Sequence, residues 1–171
     1  MDEREEFHEF AAATQGRLRR SAYLLCGDWH LAEDIVQTAF TKIFRAWRRV
    51  RAAELPDAYA RQVVYRCYLD MHRKKRISTV PLDSVAEPVA EAPSESLRDT
   101  VLEALGHLPP GARAVVVLRY WEDLSVEQTA AALGISTGTV KSQASRALGQ
   151  LRARLGESLA AQLVPPTWEQ K

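Results

Sequence analysis

The chain has 171 residues, with 23 Lys and Arg against 22 Asp and Glu, so its formal net charge is +1, and 46% of its residues are hydrophobic. This composition suits a globular protein with one or two small cores and excludes collagen-like, low-complexity and wholly disordered chains. Two cysteines cannot form a multi-disulfide secreted scaffold, the acidic N-terminus is unlike a signal peptide, and no stretch approaches the ~18 apolar residues of a membrane span, so we expect a reduced, cytoplasmic protein without membrane insertion.

The first 76 residues predict a unit of three helices. Apolar residues at helical spacing, from Phe7 to Leu25, predict a helix that runs from the acidic start to about Cys26, where Gly27 ends it. An i, i+4 stripe from Leu31 to Trp47 predicts a second helix between about Trp29 and Val50. Pro56 is tolerated in a first helical turn, so it opens a third helix, which ends in the cationic run at 73–76.

Charge is distributed unevenly along this chain. Residues 1–41 carry a net charge of −4, residues 42–76 carry +8, residues 77–103 carry −5, and residues 104–171 carry +2. The central basic block creates a local positive potential that attracts polyanions, whatever the total charge is. The alternative is a solvated helical face with scattered arginines.

A second, smaller helical unit follows a change in composition. Residues 77–95 contain three prolines and four acids without helical periodicity, which predicts a flexible acidic linker. Beyond it, Ser94 or Ser96 can cap one helix, and Pro109-Pro110 can start a short apolar helix through Tyr120. Because no segment alternates with a period of two, we predict an all-α protein with helical domains at 1–76 and 96–156 and a frayed tail at 157–171.

Residues 125–148 have the pattern of a helix-turn-helix motif. Ser125 and Gln128 fit a capping box, and Ala130 is small where two helices would cross closely. Gly134 supplies the positive φ that the turn requires, and Ser136 can cap a helix that runs to about Leu155, where Gly156 closes it. This last helix presents side chains that can meet base edges and phosphates, namely Thr137, Thr139, Lys141, Ser142, Gln143 and Arg146. A plain helical hairpin is the alternative.

Two motifs in order resemble those of one bacterial family. Residues 30–48, HLAEDIVQTAFTKIFRAWR, resemble the polymerase-binding helix of RNA polymerase sigma factors of the extracytoplasmic-function (ECF) group. Residues 108–142, from LPPGAR to GTVKS, are similar to the promoter-reading domain of the same group. The resemblance extends from about Phe7 to Leu155. It implies a sigma region 2 domain that binds core RNA polymerase and opens the −10 promoter element, and a region 4 domain that reads the −35 element.

The resemblance also implies roles for individual residues. Asp34 and Gln37 would contact core RNA polymerase, whereas the alternative for Asp34 is that it only complements its own helix dipole. Tyr59 and Tyr65 could stack on melted bases or be ordinary core-rim aromatics. Cations and one amide would hold the −10 strand from the loop at 48–56 and the following helix, namely Arg48, Arg49, Arg51, Arg61, Gln62, Arg66, Arg73, Lys74 and Arg76.

This sequence departs from the family at two of these positions. Many members carry Asn about where Arg66 stands, and Arg is common where this chain has Gln143, whose amide favours adenine over guanine.

The leading hypothesis is therefore a sigma factor that needs core RNA polymerase, duplex −35 and melted −10 promoter DNA, and that an anti-sigma factor usually controls. The alternatives are a stand-alone helix-turn-helix regulator with palindromic sites and a protein-interaction adaptor. The sequence contains no nucleophile–base pair or phosphate-binding glycine loop, so we expect neither an enzyme nor a cofactor. Cys26 and His30 are too few for a zinc site, so no metal is expected.

Overall fold

Four helices form the N-terminal part of the protein in the computed structural model, which describes residues 2–78 and 97–163. They are α1 (Glu3–Cys26), α2 (Trp29–Arg45), α3 (Trp47–Arg51) and α4 (Pro56–Ser78). The apolar stripes that the sequence places on these helices converge on one core, in which Leu25, Ile43 and Val64 are completely or almost completely buried. Burial of these stripes is the main driving force that holds the helices together.

Local signals explain the junction between α1 and α2. Gly27 adopts φ 73° and donates its N–H to the carbonyl of Tyr23, which satisfies one of the carbonyls that a helix C-terminus leaves open. Asp28 then caps α2 by accepting a 2.8 Å hydrogen bond from the N–H of Leu31. The predicted end of the first helix is confirmed.

The second predicted helix was wrong in its continuity, because it breaks at Ala46. Ala46 has φ −107° and ψ 12° outside the helical range, and its N–H is shared between the carbonyls of Ile43 and Phe44. The break allows Trp47 to pack its ring against Phe7 and Phe10, with ring centroids 5.3 and 5.0 Å away. Tertiary packing of one aromatic side chain therefore overrides the continuous helical pattern.

Six further elements form the C-terminal part. They are α5 (Leu97–Gly106), α6 (Pro110–Val116), a π-helical turn (Val117–Trp121), α7 (Val126–Leu133), α8 (Thr137–Leu155) and α9 (Glu157–Leu163). The predicted boundaries of α7 and α8 are confirmed, including the capping box in which Ser125 and Gln128 exchange hydrogen bonds. No β-strand occurs within 2–78 or 97–163.

Three details of the predicted element boundaries were wrong. Helix α4 continues through Ser78, two residues into the predicted linker, whose remaining residues and proposed caps at Ser94 and Ser96 lie outside the described residues. The short apolar helix ends at Val116 and continues as the π-helical turn, which buries Val117 and Leu118. Residues 157–163 form α9 rather than a frayed tail, and Ala160 is buried.

The two parts pack directly against each other, which the sequence did not predict. Ala114, Val117 and Leu118 of the C-terminal part belong to the same apolar cluster as Leu25 and Val64 of the N-terminal part. The rest of the C-terminal core forms two clusters, one between α5, the end of α6 and α8 around Leu148, and one between α6, α7 and α8 around Val140. Part of the apolar surface of the C-terminal part is therefore buried against α1 and α4.

Candidate nucleic-acid interface

Helix α8 has the geometry that a recognition helix needs. Its N-terminus is fixed by Ser136, whose hydroxyl accepts a 3.1 Å hydrogen bond from the N–H of Thr139. Gly134 holds the preceding turn at φ 67°. Val140 is completely buried, whereas Lys141 and Arg146 are exposed. The motif thus presents its cations to solvent on a helix whose buried side is fixed in the protein core.

The other predicted contacts on α8 are less uniformly exposed. Thr137 is exposed, and Thr139 and Ser142 are half-buried, with the Ser142 hydroxyl donating 3.1 Å to the carbonyl of Thr139. Gln143 is also half-buried, and its side-chain amide lies against Gly111 of α6. Its carbonyl oxygen is buried without a hydrogen-bond partner. Among the residues of α8 that we predict to contact bases, Gln143 therefore has the side chain with the least freedom to move.

The three arginines of α3 are exposed, but α3 is a helix rather than the predicted loop. Arg48 pairs with Glu3 at 3.2 Å and Arg51 pairs with Glu6 at 2.5 Å, so the acidic start of α1 partly neutralises this surface. Arg49 donates a long, 3.4 Å hydrogen bond to the hydroxyl of Tyr59. Exposed ion pairs of this kind contribute little stability, so a polyanion can displace the carboxylates at small cost.

The predicted contacts on α4 divide into a covered group and an exposed group. Tyr65 is completely buried and Arg61 and Gln62 are half-buried on α4, which α6 and α7 of the C-terminal part contact. Gln62 donates a 3.1 Å hydrogen bond to the carbonyl of Ala131 in α7. The exposed candidates on α4 are Arg66, Arg73, Lys74 and Arg76. Of these, Arg73 forms an ion pair with Asp70 at 3.0 Å.

A buried carboxylate joins the two parts at this covered face. Glu122 follows the π-helical turn, and its side chain is only 6% exposed. One carboxylate oxygen accepts a hydrogen bond from the Ser21 hydroxyl of α1, and the other lies 3.0 Å from Nε of Arg61. Sequence reasoning missed Ser21 and Glu122, because nothing in either local pattern indicates a partner about a hundred residues away.

Burial changes the ionisation of groups around this contact. Burial, with the nearby Glu122 carboxylate second, raises the pKa of Tyr65 well above its usual value, and its hydroxyl has no hydrogen-bond partner of acceptable geometry. Burial likewise raises the pKa of Tyr68 to about 12. The Arg113 guanidinium crosses to α1 and donates from Nε to the carbonyl of Leu24 at 2.8 Å, and burial lowers its pKa. Tyr65, Tyr68 and Arg113 therefore keep their usual charge states near neutral pH.

The predicted polymerase contacts lie on a separate surface. Asp34 and Gln37 are both exposed on α2, one turn apart, opposite the buried Ile35 and Ala39. The neighbouring Glu33 forms a 2.8 Å ion pair with Arg19 of α1. Asp34 and Gln37 are thus available to a protein partner.

The histidines, cysteines and carboxylates in the described part of the chain form no metal site. Within 2–78 and 97–163, no group of three or more His, Cys, Asp and Glu is placed to hold a metal ion. Cys26 and Cys67 are both free thiols, and burial raises the pKa of each. No helix among these residues is long and apolar enough to cross a membrane.

Comparisons with known proteins agree with this arrangement. Residues 10–77 match the model for sigma-70 region 2, and residues 98–151 match the model for sigma-70 region 4. The RNA polymerase sigma-E factor of Streptomyces coelicolor is 40% identical over 91% of this chain and 89% of its own length. The ECF RNA polymerase sigma factor SigM of Mycobacterium tuberculosis is 32% identical over 82% of this chain and 72% of its own length.

A solved structure also resembles the whole arrangement of helices. The sigma factor RpoE of Bartonella quintana, crystallised with the anti-sigma factor NepR, superposes with a TM-score of 0.69 and 26% identity over 90% of this chain and 98% of that chain. Both regions, their order and their spacing are therefore shared with sigma factors, which bind core RNA polymerase and direct transcription initiation rather than catalyse a reaction. The chain belongs to the extracytoplasmic-function group of bacterial RNA polymerase sigma factors.

Proposed function

We propose that this chain acts in the cytoplasm and guides RNA polymerase to two-part promoters. In this proposal residues 1–76 open the −10 element and residues 96–156 read the −35 element. Residues 77–95 form the linker between these two domains. The observation that carries the proposal is the exposure of Lys141 and Arg146 on a helix whose inner face, at Val140 and Leu148, is buried in a helix-turn-helix. That placement allows α8 to enter a major groove without disturbing its own core.

The −10 contacts are assigned to the cationic surface of α3 and α4. The arginines of α3 are exposed, and the carboxylates that pair with Arg48 and Arg51 are only half-buried, so these arginines can exchange their partners for phosphates. Arg66, Arg73, Lys74 and Arg76 extend the same cationic surface along α4. Tyr59, half-buried beside Arg49, is the aromatic residue best placed to stack on an unpaired base.

Run-off transcription with purified core RNA polymerase tests this proposal. We expect transcripts only when the chain is added, and only from templates that carry both promoter elements at a fixed spacing. Asp34→Ala should lower affinity for core polymerase at least several-fold, because it removes an exposed charge from the proposed docking surface. Asp99→Ala, on the C-terminal part, is the matched control. Polymerase-independent, tight binding to palindromic duplexes would instead support a stand-alone regulator.

An apolar groove between the two parts favours a regulatory partner. The groove has a volume of about 800 Å³ and is lined by α1, the start of α2, α5, the π-helical turn and α8. Its lining includes three large side chains that remain partly exposed, Trp29, Leu97 and Trp121. Arg20 and Arg98 also line it, so its chemistry suits an amphipathic helix that carries acidic residues beside its apolar face.

We assign this groove to an anti-sigma factor, because the similar sigma factor of Bartonella quintana was solved in complex with one. The test is inhibition of run-off transcription by purified candidate anti-sigma proteins encoded beside this gene. Leu97→Glu should abolish inhibition without lowering basal transcription, because Leu97 is 58% exposed and an acid there repels acidic residues of the partner. Ile77→Glu, at a residue that is 77% exposed and outside the groove, should remain inhibited. Equal inhibition of both variants would exclude the groove.

A further inference from the structure

The buried contact of Glu122 has the donor set of an anion-binding site. Ser21 donates a hydroxyl hydrogen bond to one oxygen, and the Arg61 guanidinium lies 3.0 Å from the other. The Tyr65 hydroxyl is buried beside them with no partner of acceptable geometry. One guanidinium and two hydroxyls surrounding a carboxylate are the groups that commonly bind DNA phosphate oxygens.

This donor set lies where the family resemblance predicts contacts with promoter DNA. Arg61 and Tyr65 belong to the face of α4 that the family resemblance assigns to the −10 element, and Ser21 lies on α1 next to them. A carboxylate and a phosphodiester each carry one negative charge and present two oxygen acceptors. Glu122 therefore occupies the place among these donors that a phosphodiester could take if the C-terminal part moved away.

We propose that Ser21, Arg61 and Tyr65 form a binding site for a phosphodiester of the melted −10 strand, and that Glu122 occupies this site as an intramolecular phosphate mimic. The identity of the ligand as −10 DNA rests on the function proposed above. The mimic and the strand compete for the same atoms, so promoter DNA binds only after the C-terminal part separates from α1 and α4. Ser21 is the member of this site that the sequence did not indicate.

The contact is built so that it can be opened. The Arg61 guanidinium faces Glu122 at ion-pair distance, but its Nε–H is not aligned for a hydrogen bond. The Tyr65 hydroxyl lies near the Ser21 hydroxyl, but it makes no hydrogen bond of acceptable geometry when the parts are closed. Buried polar groups with incomplete hydrogen bonding cost free energy, so the closed arrangement leaves favourable contacts for an incoming phosphate to make.

The experiment compares two variants of the full chain that lose the same charge at adjacent positions. Glu122→Gln removes the mimic, whereas Asp123→Asn changes an exposed side chain, and Asn tolerates the positive φ of 51° at that position. Binding of a short fluorescein-labelled oligothymidylate is measured by anisotropy without polymerase. We expect Glu122→Gln to bind on the order of tenfold more tightly than the unmodified chain, and Asp123→Asn to change binding less than about twofold.

Site residues are then tested in the Glu122→Gln background. Adding Ser21→Ala or Tyr65→Phe should lower the gained affinity several-fold, and adding Arg61→Gln should also reduce the salt dependence of log K by about 0.7. Small-angle scattering should show a larger radius of gyration for Glu122→Gln. If circular dichroism shows that Glu122→Gln is unfolded, Glu122→Asp, which keeps the charge but shortens its reach, should give a smaller gain of the same sign.

Two results would overturn the inference. In the first, Glu122→Gln and Asp123→Asn bind the oligothymidylate equally. In the second, adding the substitutions at Ser21, Arg61 or Tyr65 to the Glu122→Gln chain leaves its affinity unchanged. Transcription by the unmodified chain is scored separately. Active transcription with no gain in Glu122→Gln rejects the phosphate mimic and leaves the sigma function intact, whereas a gain without any transcription rejects the proposed promoter function and leaves the anion site.

Discussion

The two proposed DNA-reading surfaces of this protein differ in how accessible they are. Helix α8 presents Lys141 and Arg146 to solvent, and its exposure does not depend on the N-terminal part. The central residues on the corresponding face of α4, Arg61 and Tyr65, are half or wholly covered by the C-terminal part. One domain can thus be ready to bind duplex DNA while it masks the proposed strand-opening surface of the other.

Weakening the core that the two parts share should expose the covered face of α4. Leu118→Ala removes a completely buried side chain from the cluster that joins the π-helical turn to α1 and α4, so we expect a loss of about 2–5 kcal/mol in the free energy of unfolding. Urea denaturation followed by tryptophan fluorescence and far-UV circular dichroism measures it. For the unmodified chain the two probes should give coincident transitions, because both parts contribute to one core.

The matched control for this variant is Leu55→Ala, which makes the same change at a residue that is 67% exposed. It should alter the free energy of unfolding by less than about 0.5 kcal/mol. Two separate transitions in the unmodified chain would show that the domains unfold independently, and the shared core would then be of little energetic importance.

The exposed surface of α8 should divide into a cation that binds phosphate and an amide that reads bases. Arg146→Ala should weaken binding to duplexes with a −35 element about tenfold, whatever the base sequence, and should reduce the salt dependence by about one phosphate contact. Gln143→Ala should have a smaller effect, confined to base preference, because its amide lies against Gly111. Anisotropy titrations against a set of −35 variants measure both. Equal losses on every duplex for both variants would contradict this division of roles.

The smallest expected effect concerns the turn that sets the angle of α8. Gly134 has φ 67° and open space around its Cα, so Gly134→Ala should destabilise the protein by about 1 kcal/mol through backbone strain alone. Gly149 lies within α8, also without a neighbour that a methyl group would meet, so Gly149→Ala should stabilise the protein by up to about 1 kcal/mol. Thermal denaturation distinguishes these shifts of opposite sign. A shift of the same sign would remove the positive φ as the explanation.

Sequence reasoning succeeded where the signal is local. Gly27 and Gly134 terminate helices at the predicted positions, Ser125 and Ser136 cap them, and the buried faces of α1 and α2 follow the helical period. It failed where a distant side chain decides the outcome. Helix α2 breaks at Ala46, where Trp47 packs on α1, and Tyr65 is buried on α4, which α6 and α7 contact.

The helical class, the helix-turn-helix, the uneven charge and the resemblance to ECF sigma factors could all be recognised in the sequence, because periodicity, caps and motifs act over a few residues. The packing of the helices determines which predicted DNA contacts are exposed, and it brings Ser21, Arg61 and Glu122 together. Contacts between residues forty to a hundred positions apart leave no local pattern, since they depend on how whole helices pack. The near-neutral total charge thus conceals a basic α4 surface whose central arginine is paired with an acid from the other domain.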